Sequence, residues 1–500
     1  SIAMYADRQK ELGVRKVLGA QSYDISFQLL AEAIILALLC FPFCVLLLWS
    51  TLPYFYELMD LSWSRSILFR GSTLLTLLSL LLLSGFLSGT YPAVAYGRKS
   101  MLHLFKQKMN RILGNRYFNF RNSLITFQFV MMVGLLSITF FIYQQMQYIS
   151  NTDLGYNEEG IIFFGVDGVE KYKTLKKDLL NLPEVEAIGG NGLPGSEMYN
   201  QGTYKMKGTD VTLSDGTTEY FDLGTIEALN LKCDACELLE KGKDRIFVIN
   251  RTAAKKLAKI KGIEPDQLVG ETLISEPEWE NEQYGFGVPR VIDGIVDDFK
   301  FFSLKYPDQS LLLSIRPEPV YTYNMMVRAN TKNWKATIQK IESAYSNIET
   351  VRPFNFTFLE DRINQLYADE RKSGILMGGL SLIAIILALT GLMGIVSYII
   401  FSRQKEISVR KILGASVGNI LFIFNKEFIV LMGIATIVAT PITIILANKW
   451  LEEFAFKITP QIWVVGLAGL GAVFLVGILV SIQSMRVATQ NPQTVLRSER

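Results

Sequence analysis

Apolar residues are distributed very unevenly along this 500-residue chain. Six runs, at about 29–49, 67–90, 123–145, 374–400, 424–447 and 462–483, are almost continuously apolar. Each has the roughly 20 residues that a helix needs to cross a hydrocarbon core about 30 Å thick, and each is too long for a buried strand. Pro42 and Pro441 fall inside two of the runs, where each removes a backbone donor and predicts a kink. The intervening stretch 150–371 has ordinary polarity and reads as mixed α/β. A strand at 160–166 precedes an amphipathic helix at 170–182, which has Tyr172, Leu175 and Leu179 on one face and Pro183 to end it. A strand at 184–189 follows, then a strand from Ile246 to Ile249, with Asn250 as N-cap of a helix at 251–259. Strands near 289–296, 309–315 and 322–328 and a helix at 333–348 complete it, and Leu359 to Arg371 is expected to run as continuous helix into the fourth span. The fold class predicted is an α-helical integral membrane protein, six transmembrane helices being visible, with an inserted α/β domain.

Charge orients the spans. Half of the residues are hydrophobic, 19% are charged, and the net charge is only +3, too little for a nucleic-acid partner. Its placement is informative: Arg8, Lys10, Arg15 and Lys16, then the acid-free loop 91–121 with seven Lys and Arg, then Arg403 to Lys411 and the C-terminal tail. The alternate flanks are mixed, with Glu57, Asp60 and Arg65 in one and Lys449, Glu452, Glu453 and Lys457 in the other. By the positive-inside rule the basic flanks face the cytoplasm and residues 150–371 lie outside.

Several chemistries are excluded. The single histidine, His103, nearly excludes a His-based metal site or a Ser–His triad; no metal and no cofactor are expected. No G-x-x-x-x-G-K-[ST] occurs, so ATP must be handled by another chain. Gly190, Gly192 and Gly195 fit G-x-G-x-x-G after a strand, but Pro194 and the unpatterned residues beyond it replace the helix start that would hold a pyrophosphate, which leaves a glycine-rich turn. Asp297 and Asp298 are adjacent and would point to opposite faces of a strand, unsuited to paired acid–base work. Cys40 and Cys44 lie in an apolar run, where they read as small packing hydrophobes. Cys233 and Cys236, a lone CxxC, predict a local disulfide if the region is extracytoplasmic. Glu32 and Glu427 are carboxylates near membrane depth, one to two turns into the membrane helix that follows each basic flank; anchoring or coupling is favoured over proton transfer.

The chain also repeats itself. Residues 8–20 read RQKELGVRKVLGA and residues 403–415 read RQKEISVRKILGA, identical at ten positions of thirteen. The same offset places Glu32 on Glu427, and two spans follow each copy. Glu11 and Arg15, like Glu406 and Arg410, stand i,i+4 on a short helix in the favourable order. Gly19 and Gly414 sit where a left-handed residue ends it, and Ser416 can cap the next helix. A positive-inside anchor needs only scattered basic residues, whereas duplication of Gln, Glu, Arg and Gly points to docking. The expected coupling residues are Arg8, Lys10, Glu11, Arg15, Lys16 and Gly19 in the first copy. In the second they are Arg403, Lys405, Glu406, Arg410, Lys411 and Gly414.

The duplicated motif, Asn425 to Phe428 and the closing Asn491, Pro492, Leu496, Arg497 and Glu499 resemble the MacB/FtsX-like ABC transporter permease family in its two-module form. "LPEVEAIG", "IFVINRTAAKKL" and "IDGIVDDFKFFSL" are similar to its MacB-like periplasmic core domain. The resemblance implies the remainder of a first module at 1–121, an outward-leading helix at 122–149, the periplasmic core domain at 150–371 and a second module at 372–500. By that comparison a span, an outside domain and most of a second span precede Ser1. It also implies a bacterial inner-membrane subunit coupled to a cytoplasmic ABC ATPase dimer, with a periplasmic adaptor or substrate protein as a further partner. Export or extraction of peptides, antibiotics or lipoproteins is the implied function; the alternative is an FtsX-like signalling adaptor that regulates a cell-wall hydrolase without transport. An enzyme is not expected.

Overall fold

The computed structural model describes residues 14–15, 18–59, 65–97, 120–195, 202–276, 288–319, 322–350, 352–402, 410, 412–413 and 416–488. Two compact units divide the chain: one holds 1–143, 372–448 and 460–500, the other 144–371 together with 449–459.

The first unit is helical. Its elements are α1 (Ser22–Leu58), α2 (Gly71–Gly97), α3 (Phe120–Ser150), and, beyond the inserted unit, α10 (Ala368–Ser402), α11 (Val417–Leu451) and α12 (Ile462–Ala488). All six are long and apolar enough to span a membrane, and at most 39% of any apolar stretch is buried within the chain. So much exposed apolar surface is stable only against lipid, and a helix satisfies its own backbone there. The chain is an integral membrane protein. The second span starts at Gly71, later than expected, because Arg65–Phe69 form a 3₁₀ turn. Pro42 and Pro441 both lie within continuous helices.

Small residues set the helix contacts, as they do where lipid provides no hydrophobic drive between spans. Gly85 and Gly89 of α2 lie so close to α1 that a Cβ on either would come within 2.8 Å of the Ala37 or Ala33 methyl. Thr139 of α3 hydrogen-bonds Ser381 of α10 at 2.8 Å, and Asn425 of α11 donates to Ser481 of α12 at 3.2 Å.

The inserted unit contains two sheets. A four-stranded antiparallel sheet has the order β11-β1-β10-β2, built from β1 (Ile161–Gly165), β2 (Val185–Gly189), β10 (Asn324–Ala329) and β11 (Phe356–Phe358). A seven-stranded mixed sheet has the order β7-β6-β3-β4-β9-β5-β8. Its strands are β3 (Gly202–Met206), β4 (Thr212–Asp222), β5 (Ile246–Asn250), β6 (Thr272–Glu276), β7 (Arg290–Val291), β8 (Gly294–Val296) and β9 (Ser310–Arg316). Strand alternation divides the core into three. Ile162, Phe164, Met325 and Val327 pack under α4 (Val169–Leu179) and α8 (Trp334–Ile348). Phe247, Ile249 and Leu312 pack under α7 (Arg251–Lys261). The opposite faces, with Ile161 and Met326 from one sheet and Val248, Leu311 and Leu313 from the other, meet in a shared core. Strands β5 and β9 are thus buried on both sides, hence their unbroken apolar runs.

A buried carboxylate holds the sheets in register. Asp222 is fully buried and accepts from Tyr172 Oη at 2.8 Å, from Gly190 N at 2.9 Å and from Thr225 Oγ1 at 2.6 Å. Removing it would strand the Gly190 N–H, at a cost of about 1–3 kcal/mol, while Thr225 Oγ1 would keep Asn191 O and Tyr172 Oη its longer contact with Ile188 O. The same bond ties down the glycine-rich turn, where Gly192 and Gly195 have positive φ.

Three expectations need correction. The single strand near 289–296 is two, because Asp293 turns in to accept from Phe247 N, so β7 pairs with β6 and β8 with β5. The helix expected to reach 182 ends at Leu179. The helix expected to be continuous from Leu359 is broken at Tyr367, between α9 (Leu359–Leu366) and α10.

Glu219, on β4 opposite Leu313, has its pKa pushed from 4.5 up to about 7 by burial alone. Below pH 4.5 the carboxyl is neutral in both states; as pH rises towards 7 the unfolded chain ionises first, and stability falls by about 3 kcal/mol. Glu219→Gln should remove this fall. Melting temperatures of the detergent-solubilised chain at pH 5 and pH 8 test it: the wild type should lose stability at pH 8, the variant much less.

Candidate coupling sites

The first candidate site is the duplicated motif. Its described part is the end of the motif helix. Leu18 N donates to Val14 O and Ala20 N to Arg15 O, at 3.0 and 3.1 Å, closing around Gly19 at φ +98°. That is the C-terminal arrangement in which glycine avoids the Cβ clash. Gln21 then starts α1 with a reciprocal capping box: its backbone N donates to Asp24 at 2.9 Å. In the second copy, Ser416 stands at the equivalent position and accepts from Asn419 N at 3.3 Å. Both copies therefore cap the following span at the same register.

Arg15 is connected to that span. Its Nη1 donates to Gln28 Oε1 at 2.6 Å, and Gln28 Nε2 donates to Glu32 Oε1 at 2.9 Å. The motif arginine and Glu32 are thus joined through one amide. Arg410 is exposed at the matching position. Arg8, Lys10, Glu11, Lys16, Arg403, Lys405, Glu406, Lys411 and Gly414 lie outside the described residues, as does the side chain of Glu427. Cys233 and Cys236 are joined in a disulfide. Among the described residues no cluster of His, Cys, Asp or Glu could hold a metal.

The second candidate site was not expected, and it lies wholly within the inserted unit. Gln145, near the end of α3, is completely buried. Its Nε2 donates to Phe456 O and its Oε1 accepts from Ile458 N, both at 2.9 Å. On the far side of the same loop, Ala455 N donates to Lys305 O at 3.1 Å and Phe456 N to Leu304 O at 3.2 Å. The connection between the last two spans is therefore pinned between a helix amide and the domain backbone. Phe454, Ile149, Leu304 and Tyr367 form the apolar centre of this junction. Lys300 lies 3.9 Å from the Phe456 ring centroid, a cation–π contact.

Tyr367, at the helix break, completes it. Its hydroxyl accepts from Leu304 N at 2.8 Å, while Glu370 in the next turn pairs with Lys305. Burial works against the Lys305 ammonium, but the Glu370 hydrogen bond and charge outweigh it and hold the pKa above its ordinary value. One loop, 304–305, thus reaches both Tyr367–Glu370 and the 455–456 connection. A warning of this site was present in sequence: Trp450, Phe454 and Phe456 are too many aromatics for a solvated connection between spans.

Residues 1–101 and 378–492 match the model of the FtsX-like permease C-terminal domain. Each matched stretch contains one copy of the motif, and the α/β unit falls in the gap between them. With six apolar helices, the match defines the class as a polytopic membrane permease with an inserted domain. The two helical modules of the chain are therefore similar to the FtsX-like permease C-terminal domain. No curated protein matches it. A crystal structure of a heavy metal efflux pump aligns at 12% identity and a TM-score of 0.12, covering 88% of this chain and 57% of its own; that score supports no conclusion about fold or function. The chain spans only that 57% of the pump's length.

Replacing Gln145 with alanine should release the 455–458 connection while leaving the sheets intact. Hydrogen exchange is the check: the Ile458 amide should exchange at least about tenfold faster, with β5 and β9 amides unchanged. Unaltered exchange at Ile458 would show that the amide does not hold the loop.

Proposed function

We propose that this chain is the membrane subunit of an ABC transporter whose ATPase is a separate cytoplasmic dimer. In this reading the chain resides in a bacterial inner membrane, residues 150–371 face the periplasm as a MacB-like core domain, and 1–121 and 372–500 act as its two permease modules. ATP-driven closure of the dimer moves the two motif copies. α3, α10 and α11 carry that movement to the inserted unit, which acts on peptides, antibiotics or lipoproteins at the outer face. A periplasmic adaptor is a further partner.

The observation that carries the reading is the near-identical duplication of the motif, each copy followed by a capped span at the same register. A dimeric ATPase presents two equivalent grooves, and a single chain can fill both only by repeating its docking element. The Arg15–Gln28–Glu32 chain supports it by linking the motif to its span. The junction around Gln145 supports it at the other end, since motion of α3 must there move the domain's own backbone.

The double substitution Glu11→Lys and Glu406→Lys reverses one charge in each copy and should abolish stimulation of the partner ATPase in reconstituted vesicles. Single substitutions should each leave partial stimulation. Full stimulation by the double variant, with normal membrane insertion, would contradict docking through the motif.

A further inference from the structure

The two motif copies are almost identical in sequence, yet they are not attached to their spans alike. In the first, Arg15 Nη1 donates to Gln28 Oε1 at 2.6 Å and Gln28 Nε2 donates to Glu32 Oε1 at 2.9 Å. One half-buried amide on α1 therefore serves a cation and an anion at once. It can do so because its oxygen accepts and its nitrogen donates, and hydrogen bonds to ionised groups are the stronger kind. The spacing that aligns the motifs puts Arg410 on Arg15 and Glu427 on Glu32, but Ile423 on Gln28. An isoleucine side chain has neither donor nor acceptor, so this bridge has no counterpart in the second copy. The nearest side-chain amide on α11, that of Asn425, is two residues further on and about 200° round the helix. It is committed elsewhere: its Nδ2 donates to Leu421 O at 3.0 Å and to Ser481 Oγ of α12 at 3.2 Å. Its oxygen also faces α12, 3.9 Å from where a Cβ on Gly477 would stand. The first module uses its amide to hold the motif; the second uses one to hold its spans together.

Taking the copies as docking elements, as in the function proposed above, we infer that Gln28 positions the first copy on α1 and that the second copy, with Ile423 in its place, is the more compliant of the two. An ATPase dimer that moved both copies equally would then displace α1 more fully than α11, because a bonded link passes on movement that an unbonded one partly absorbs. A symmetric stroke thereby becomes an unequal one. Two identical permease subunits could not do this; two diverged modules in one chain can.

The attachment is read without any ATPase, by hydrogen exchange of the full chain in lipid nanodiscs. The Leu18 and Ala20 amides, bonded to Val14 O and Arg15 O, should exchange about tenfold or more slowly than the equivalent amides of Leu413 and Ala415. Gln28→Ile places on α1 the residue that α11 already has there; it should remove the difference and leave the rest of α1 unchanged. Ile423→Gln should slow the second pair, a gain that misfolding cannot produce. Equal exchange in the two wild-type copies, no change at Leu18 and Ala20 in Gln28→Ile, or no slowing in Ile423→Gln would each overturn the inference. The unequal stroke is read in reconstituted vesicles with the partner ATPase. Glu11→Lys should remove more of the stimulation than Glu406→Lys, and the two losses should become equal when Gln28→Ile is added. Equal losses without that addition would overturn the inequality and leave docking intact. No loss from either substitution, or from both together, would overturn docking and the inequality with it.

Discussion

Burial of the Gln145 amide is the constraint around which the inserted unit's junction is organised. A primary amide at the end of an apolar helix must find both a donor and an acceptor when water is excluded. Phe456 O and Ile458 N are the pair it finds. Satisfying the amide fixes a loop that would otherwise be an ordinary connection between spans, and that loop then adds its own N–H groups to the backbone at 304–305. The aromatic side chains of 450–456 follow, because the loop's fixed path leaves Phe454 no solvent to face. A leucine at 145 would pack as well but would leave Ile458 N and Phe456 O without these partners, which are worth more here than the packing itself.

Within the helical unit the equivalent economy is achieved with glycine and alanine. The α1–α2 pair is close because Gly85 and Gly89 carry no Cβ. Close backbones gain dispersion contacts, the main attraction left between helices in lipid. The duplicated modules nevertheless differ in their polar links. Ser26 of α1 donates to Ala93 O of α2, whereas α11 and α12 use Asn425 and Ser481. The copies are nearly identical in the motif and share fewer residues beyond it, Glu32 and Glu427 among them, so the divergence lies mainly in the spans.

Much of this was legible in the sequence because its signals are local. Span lengths, the basic flanks and the motif repeat need no knowledge of tertiary contacts. Strands β5 and β9 show as apolar runs since both their faces are buried, and Asn250 shows as a cap, its Oδ1 accepting from Ala253 N at 3.0 Å. Strands β3, β4 and β6 do not show. In β4, Ser214, Asp215, Gly216 and Thr217 give no alternation that a reader could separate from a loop, and the pairing is supplied by β9 from almost a hundred residues away. The junction was hidden for the same reason as β4: Gln145, Tyr367 and Phe456 are meaningful only once the chain has brought them together.

The break at Tyr367 changes what kind of device the inserted unit can be. An unbroken helix from Leu359 into the membrane would act as a lever, whose movement is fixed by the helix direction alone. Here α9 stops, and the residue at the break is instead bonded sideways to Leu304 N, the same segment that accepts the 455–456 connection. Bending stiffness at that point therefore comes from side-chain and backbone bonds around Leu304 and Lys305, not from continuous helical hydrogen bonding. In the proposed function, force that enters through α10 is shared with the connection from α11 at this point. A junction of this type can be loosened by changing one residue without unfolding either neighbour, whereas a lever can only be bent or broken.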